Sequence, residues 1–95
     1  MKMVTREILS AEGSVMLVKV QLAEGFVGEM DQHLEEQISY IEHGTVEFEV
    51  GGVVRVLGEG ESVYIPSNVE HRVKVLEKCT ILDVFTPVRV DLLGR

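Results

Sequence analysis

The chain is dominated by short runs of β-branched residues in which apolar and polar side chains alternate, most of them closed by a glycine-containing turn. Alternation with a period of two predicts strands with one buried face, because successive side chains on a strand point to opposite sides. The clearest turn is Gly51-Gly52 between residues 46–50 and 53–57, since glycine supplies the positive φ angles of a two-residue hairpin loop. Helical periodicity is almost absent. The sequence therefore predicts an all-β fold.

The spacing of these runs indicates a particular β architecture. Eight or more short strands follow one another without a linker or a helical crossover, which is typical of an antiparallel jelly-roll barrel. With this length, we expect one domain spanning residues 1–95, one core, and a ligand site at the barrel mouth. The predicted strands are 15–22, 38–41, 45–50, 53–57, 62–65, 69–76 and 80–85, with a further extended piece at 29–33.

Charge and cysteine content exclude some partners. Nine Lys and Arg stand against sixteen Asp and Glu, and the net charge of -7 repels nucleic-acid phosphates, so nucleic acid is not an expected partner. No apolar run approaches the roughly 18 residues of a membrane span, so no membrane association is expected. Cys79 is the only cysteine, which rules out an intramolecular disulfide and favours the cytoplasm. Its apolar neighbours predict that it is buried.

Two segments carry residues suited to chemistry. From Asp31 to Gln37, the odd positions hold oxygen- or nitrogen-bearing side chains that share one face if the backbone is extended. The second segment places Gly60, Pro66 and His71 at spacings of six and five residues. His43, before a glycine, is predicted to be a turn residue and not a ligand.

Together these segments resemble the paired motifs of the cupin family, within the RmlC-like superfamily of small β-barrels that hold a metal inside. The resemblance implies a metal site formed by Asp31, His33, Gln37 and His71. This set suits one divalent ion, Mn, Fe, Ni or Zn. Two positions depart from the family pattern: Asp31 stands where a histidine is usual, and Asn68 where a glycine is usual.

Three segments, 33–40, 65–71 and 82–89, resemble more closely the cupins of pectin degradation. Members of that type convert 4,5-unsaturated uronates, the products of pectin and alginate lyases, into linear keto sugar acids. The resemblance implies that Asp83 and Arg89 are catalytic and that Phe85 and Arg89 bind substrate. An arginine suits a substrate carboxylate through bidentate hydrogen bonds. Small cupins also form homodimers, often with N-terminal strands paired or exchanged, so a homodimer that binds a small-molecule sugar acid is expected.

Several alternatives stay open at this point. Asp31 also fits an exposed loop carboxylate, in which case Glu35 would replace it as ligand, and Asp83 also fits an ion pair with Arg72 or Arg89. The whole chain could equally be a non-catalytic metal-binding or ligand-binding module, or an Fe(II) dioxygenase with at least two open metal positions. The discriminating feature is whether Asp83 and Arg89 point into the pocket that holds the metal ligands.

Overall fold

Strands form nearly all the regular structure in the computed structural model, which describes residues 2–94. A single 3₁₀ helix, Val90–Leu93, follows the last strand. No helix in residues 2–94 is long and apolar enough to cross a membrane. The strands are β1 (Val4–Glu12), β2 (Val15–Leu22), β3 (Glu36–Val50), β4 (Val53–Leu57), β5 (Ser62–Ile65) and β6 (His71–Thr86).

The strands pair antiparallel throughout, in the order β1-β2-β6-β3-β4, with β5 also paired to β3. β3 and β6 run together from Glu36 opposite Thr86 to Val50 opposite His71. A straight strand rises about 3.3 Å per residue, which would separate His71 from Phe85 by roughly 45 Å. The rings of both lie within 6 Å of the His33 ring, at 4.8 and 5.8 Å between centroids. β6 therefore curls around the interior, and the predicted antiparallel jelly-roll barrel is confirmed.

An irregular segment in β3 sets which residues face inward. The register between β3 and β6 shifts between Ile41 and Val46, the mark of β-bulges, which bend a strand. Before it the buried residues of β3 are odd-numbered, and after it they are even-numbered. Gly44 has a φ of 92°, and a Cβ there would lie 2.2 Å from the carbonyl oxygen of Lys78. Only glycine fits this close approach.

The core is a single apolar cluster formed by β2, β3, β5 and β6, together with Leu57 at the end of β4. Cys79 belongs to it and is buried, as predicted. The apolar side chains with no exposure at all are Met16, Val18, Ile41, Val46 and Ile65.

The strand predictions were wrong in three respects. β1 was not predicted, because seven of its nine residues are exposed and only Val4 and Ala11 pack against the core. The predicted strands 38–41 and 45–50 are one strand, as are 69–76 and 80–85, since a bulge interrupts the alternation without ending the pairing. The structure thus has six strands in residues 2–94. The segment 29–33 is not a strand, and only Asp31 forms an isolated bridge, to His71.

Candidate functional site

A cavity of about 320 Å³ opens inside the barrel. Its apolar wall includes Val20, Phe48 and Ile81, which come from three different strands. Residues from both halves of the sequence therefore meet in one enclosed space, as expected for a ligand site at the mouth of a barrel. The polar side chains that line it include Asp31, Gln37, Ser39, His71, Asp83 and Arg89.

Three side chains from two separate segments converge on one point of this site. One ligand atom from each of Asp31, His33 and His71 lies within 4.8 Å of the others. The main chains of Asp31 and His71 exchange two hydrogen bonds, Asp31 N to His71 O at 2.8 Å and His71 N to Asp31 O at 2.9 Å. The exposed Asp31 is thereby fixed beside the buried His71. This grouping can hold a metal ion without Glu35, whose carboxylate lies outside it.

Both imidazoles are oriented by the protein backbone. The Nδ1 atom of His33 lies 2.9 Å from the Glu35 carbonyl oxygen, and that of His71 lies 2.9 Å from the Val69 carbonyl oxygen. Because a carbonyl only accepts, each Nδ1 must donate, and in the neutral ring Nε2 carries the free lone pair. Such backbone contacts are how ligating histidines are usually held. Burial also lowers the pKa of His71, which favours the neutral, ligating form.

Gln37 links this cluster to Asp83. Its Nε2 donates to Ser39 Oγ at 2.8 Å and to Asp83 Oδ1 at 3.3 Å, which turns its Oε1 towards His33 Nε2, 3.1 Å away. An amide oxygen and an imidazole lone pair are both acceptors, so their approach is favourable only with a proton or a cation between them. Together with Asp31 and His71, these residues offer two nitrogen donors and two oxygen donors, a set that suits Mn, Fe, Ni or Zn.

Asp83 is a partly buried carboxyl group that accepts hydrogen bonds from neutral donors. Ser39 Oγ donates to its Oδ1 at 2.5 Å, and both this bond and the one from Gln37 end on the same oxygen. Burial raises the pKa of Asp83 to about 6, although these two hydrogen bonds act in the opposite direction. The alternative ion pairs are not formed: within residues 2–94, Arg72 pairs with Glu49 and Arg89 with Asp91.

Arg89 and Phe85 lie together at the side of the cavity near Asp31 and His33. The Arg89 guanidinium carbon is 5.1 Å from the centre of the Phe85 ring, a cation–π distance, and Phe85 is buried. Two Arg89 nitrogens contact Asp91, Nη2 to Oδ2 at 2.7 Å and Nε to Oδ1 at 3.3 Å. Its Nη1 lies 4.0 Å from the Asp31 carboxylate. Arg89 therefore faces the site with two of its five N–H donors already used by Asp91.

The departure at Asn68 has a conformational explanation. Asn68 has a φ of 62°, the left-handed region in which glycine is favoured and asparagine is the best tolerated alternative. Its main chain also fastens the loop before β6 to the loop before β3: Asn68 N donates to His33 O at 2.8 Å, and Gln32 Nε2 donates to Asn68 O at 2.7 Å. The substitution thus preserves the turn that the usual glycine would form.

The structure brings together all seven residues singled out from the sequence: Asp31, His33, Gln37, His71, Asp83, Phe85 and Arg89. It also adds two that the sequence did not indicate. Ser39 is an ordinary strand serine until the register places it opposite Asp83, and Arg6 lines the cavity from the unpredicted β1. His43 lies outside the site and pairs with Glu59 at 2.8 Å.

Comparison with known proteins gives consistent matches. A family model described as the cupin domain matches residues 18–85. The pectin degradation protein KdgF of Dickeya dadantii (strain 3937) is 33% identical over 92 residues, which cover 95% of this chain and 84% of that protein. The solved structure of KdgF from Halomonas sp. has a TM-score of 0.91 at 32% identity, and covers 95% of this chain and 84% of that one. An RmlC-like cupin from Shewanella frigidimarina also has a TM-score of 0.91, at 30% identity, with 95% and 81% covered.

Proposed function

This chain belongs to the cupin family, and from that premise we propose that it is a metal-dependent enzyme of uronate metabolism. Its substrate would be a 4,5-unsaturated uronate released by a pectin or alginate lyase, and its product a linear keto sugar acid. The pectin degradation role carried in the name of the Dickeya relative supports the substrate class. The reaction itself is inferred from the chemistry of the cavity.

One observation carries this proposal: a partly buried carboxyl group shares a cavity, and a hydrogen-bonded neighbour, with the proposed metal ligands. Asp83 lines the same cavity as Asp31 and His71, and Gln37 contacts both Asp83 and His33. A module that only bound a metal would have no use for a carboxyl group partly buried beside it. Such a group costs stability at neutral pH, because burial disfavours its charged form.

The proposed reaction is an isomerisation that needs only proton transfers. The substrate ring has an enol ether between C4 and C5, a carboxylate on C5 and a hemiacetal at C1. The C1 hydroxyl loses its proton, the bond from C1 to the ring oxygen breaks, and C1 becomes an aldehyde. The ring oxygen takes a proton and is then the hydroxyl of an enol at C5. Transfer of that hydroxyl proton away and delivery of a proton to C4 give the C5 ketone.

Asp83 is the residue best placed to move these protons. Both hydrogen bonds to it end on Oδ1, and within residues 2–94 its Oδ2 receives none, so Oδ2 can hold the proton that C4 receives. A pKa of about 6 allows both protonation states near neutral pH. Phe85 supplies an apolar surface for the sugar ring, and Arg89 adds positive charge beside it.

The metal would be held by Asp31, His33, Gln37 and His71 and would, when bound, polarise the oxygens of the ligand as a Lewis acid. The four side chains reach it from a loop, from β3 and from the start of β6, and the backbone contacts of both histidines keep their Nε2 atoms aimed inward. We propose that this metal is Mn, Fe, Ni or Zn.

A second function has one observation in its favour. Arg89 is already engaged by Asp91, as expected of a residue that holds the site together and not of one kept free for substrate. In that case the protein would be a non-catalytic cupin that binds a metal or a small acid.

In either case we place it in the cytoplasm, where a lone thiol is compatible with a buried structural role. Burial raises the pKa of Cys79 to about 11, so its reactive thiolate is disfavoured.

The deciding experiment follows the enol ether. Metal-loaded protein is mixed with unsaturated galacturonate prepared with a pectate lyase, and the ultraviolet absorbance of the enol ether is recorded. We expect faster loss of absorbance than in buffer with metal, and a reduction of about 10²- to 10⁴-fold in the Asp83→Asn variant. Glu59→Gln is the matched control, since it neutralises an exposed carboxylate that pairs with His43. Equal rates with and without protein would favour the non-catalytic alternative.

A further inference from the structure

A second arginine enters the cavity from the first strand. Arg6 pairs with Val20 across β1 and β2, and side chains directly opposite each other in an antiparallel pair lie on the same face of the sheet. Val20 is buried and lines the cavity, and Arg6 lines it as well. Arg6 is thus an exposed residue at the rim whose side chain is directed to the ligand space and not to the outer surface of the barrel.

The register places Arg6 on the other side of Asp83 from Arg89. Along the β2–β6 ladder, the inward-facing pairs are Met16 with Phe85, Val18 with Asp83, and Val20 with Ile81. Arg89 packs on Phe85, at the first of these levels, and Arg6 stands opposite Val20, at the third. Successive levels are two residues, or about 6.7 Å, apart. Along this ladder, Asp83 therefore lies between the level that Arg6 faces and the level on which Arg89 packs.

The two arginines differ in how far they are engaged. Arg89 makes two hydrogen bonds to Asp91 and lies near Asp31, so most of its charge is balanced by the protein. Within the described part of the chain, Arg6 forms neither an ion pair nor a side-chain hydrogen bond. Its donors are available to a ligand, and a guanidinium matches the planar geometry of a carboxylate.

We propose that Arg6 binds the carboxylate of the sugar acid and so sets the orientation of the ligand in the cavity. This inference rests on the proposed function, because it concerns the ligand of the same site. With the carboxylate at Arg6, C5 and C4 lie next along the ligand, towards Asp83, and the hydroxyl-bearing part of the ring extends towards Phe85 and the metal ligands. Arg89 is then the residue that positions Phe85 and Asp31.

The cavity supports this placement independently of the ladder. Arg6 and Asp83 both line it, so one uronate held in this space can contact both side chains.

The test compares acid and ester ligands in matched arginine variants. Arg6→Met removes the charge and keeps much of the apolar stem, and Arg55→Met on β4 is the control, since Arg55 does not line the cavity. Turnover is measured with unsaturated galacturonate and with its methyl ester. For the acid, we expect Arg6→Met to raise KM about 10- to 100-fold, the usual loss of a charged hydrogen bond, with a much smaller change in kcat. For the ester, wild type and Arg6→Met should differ little. Arg6→Lys should recover part of the affinity.

A binding measurement separates failure of this inference from failure of the proposed function. Calorimetric titration of metal-loaded protein with galacturonate and with galactose needs no turnover. Tighter binding of the acid that is lost in Arg6→Met supports the role of Arg6 even if no substrate is converted. Turnover with an unchanged KM in Arg6→Met would overturn this inference and leave the enzyme proposal intact. Wild-type protein that neither converts the uronate nor prefers the acid would overturn both.

Discussion

Asp31 and His71 are joined through their main chains by two reciprocal hydrogen bonds of 2.8 and 2.9 Å. One residue lies on the loop between β2 and β3, and the other begins β6. The exposed carboxylate is therefore held beside the buried imidazole before any ion arrives. Because little ordering remains to be done on binding, this pair should contribute affinity and not only a charge.

Removal of His71 should abolish metal binding. Elemental analysis of the protein as isolated, and again after reloading, is expected to find about one equivalent of Mn, Fe, Ni or Zn in the wild type and under about a tenth of that in His71→Ala. His43→Ala is the matched control, because His43 is exposed and pairs with Glu59 away from the cavity. Equal metal content in the two variants would contradict the site.

The partly buried Asp83 should make the metal-free protein more stable as pH falls below neutral. Its pKa of about 6 is above the ordinary value of 3.8, so between these values the folded state binds more protons than the unfolded state, and stability is lost as pH rises. Between about pH 7.5 and about pH 4.5 the effect is on the order of 2 kcal/mol.

Urea unfolding of chelator-treated wild type and Asp83→Asn across this range measures that effect. The difference between their free energies of unfolding cancels the contribution of the other carboxylates, which both proteins share. Asp83 faces the neutral side chains of Ser39 and Gln37 and the charges of Arg6 and Arg89, and both arginines stay protonated throughout this range. The variant should gain stability relative to wild type as pH rises. A constant difference would show that Asp83 does not titrate in this range.

Gly44→Ala should be one of the most damaging small substitutions in the chain. Its Cβ would lie 2.2 Å from the Lys78 carbonyl oxygen and 2.6 Å from the Cys79 Cβ, so the β3–β6 pairing must separate. We expect a loss of roughly 4 kcal/mol or more in the free energy of unfolding. Gly52→Ala is the control: its φ of 83° is similar to the 92° of Gly44, but nothing lies within 4 Å of its Cβ. That variant should lose only about 1–2 kcal/mol. If both variants lost a similar amount of free energy in denaturant unfolding, the positive φ alone would explain the effect, and the clash with Lys78 and Cys79 would not.

We expect a homodimer in solution. β1 and β4 are open edges of the sheet, and Ile38 of β3 and Tyr64 of β5 are exposed cross-strand neighbours on its outer face. Sedimentation at micromolar concentration should give twice the chain mass of 10.6 kDa. Ile38→Glu should weaken the dimer, whereas Val27→Glu, equally apolar and exposed on another surface, should not. A monomer mass for the wild type would refute the prediction.

The sequence indicated the site better than it indicated the strands. His33 and His71 stand at motif spacings that are visible in the sequence itself, and the glycine turns mark the hairpins. Arg6 and Ser39 could not be found in this way. β1 lies at a sheet edge and is mostly exposed, so its periodic signal is weak, and the importance of Ser39 depends on its partner 44 positions further along the chain. Such pairings are decided by register, which local propensity does not specify.

The irregular segment of β3 around Gly44 also separates two stretches of the strand that do not tolerate a change in length. Residues 37–41 turn their odd positions inward, where Gln37 and Ser39 contact Asp83, whereas 46–50 turn their even positions towards the apolar wall. A single inserted or deleted residue inside either stretch would reverse every side chain beyond it. The same change at 42–45, where the pairing is already offset, is the one place in β3 where the strand could absorb it by shifting its bulge. Natural variation in the length of β3 should therefore be concentrated in those four residues.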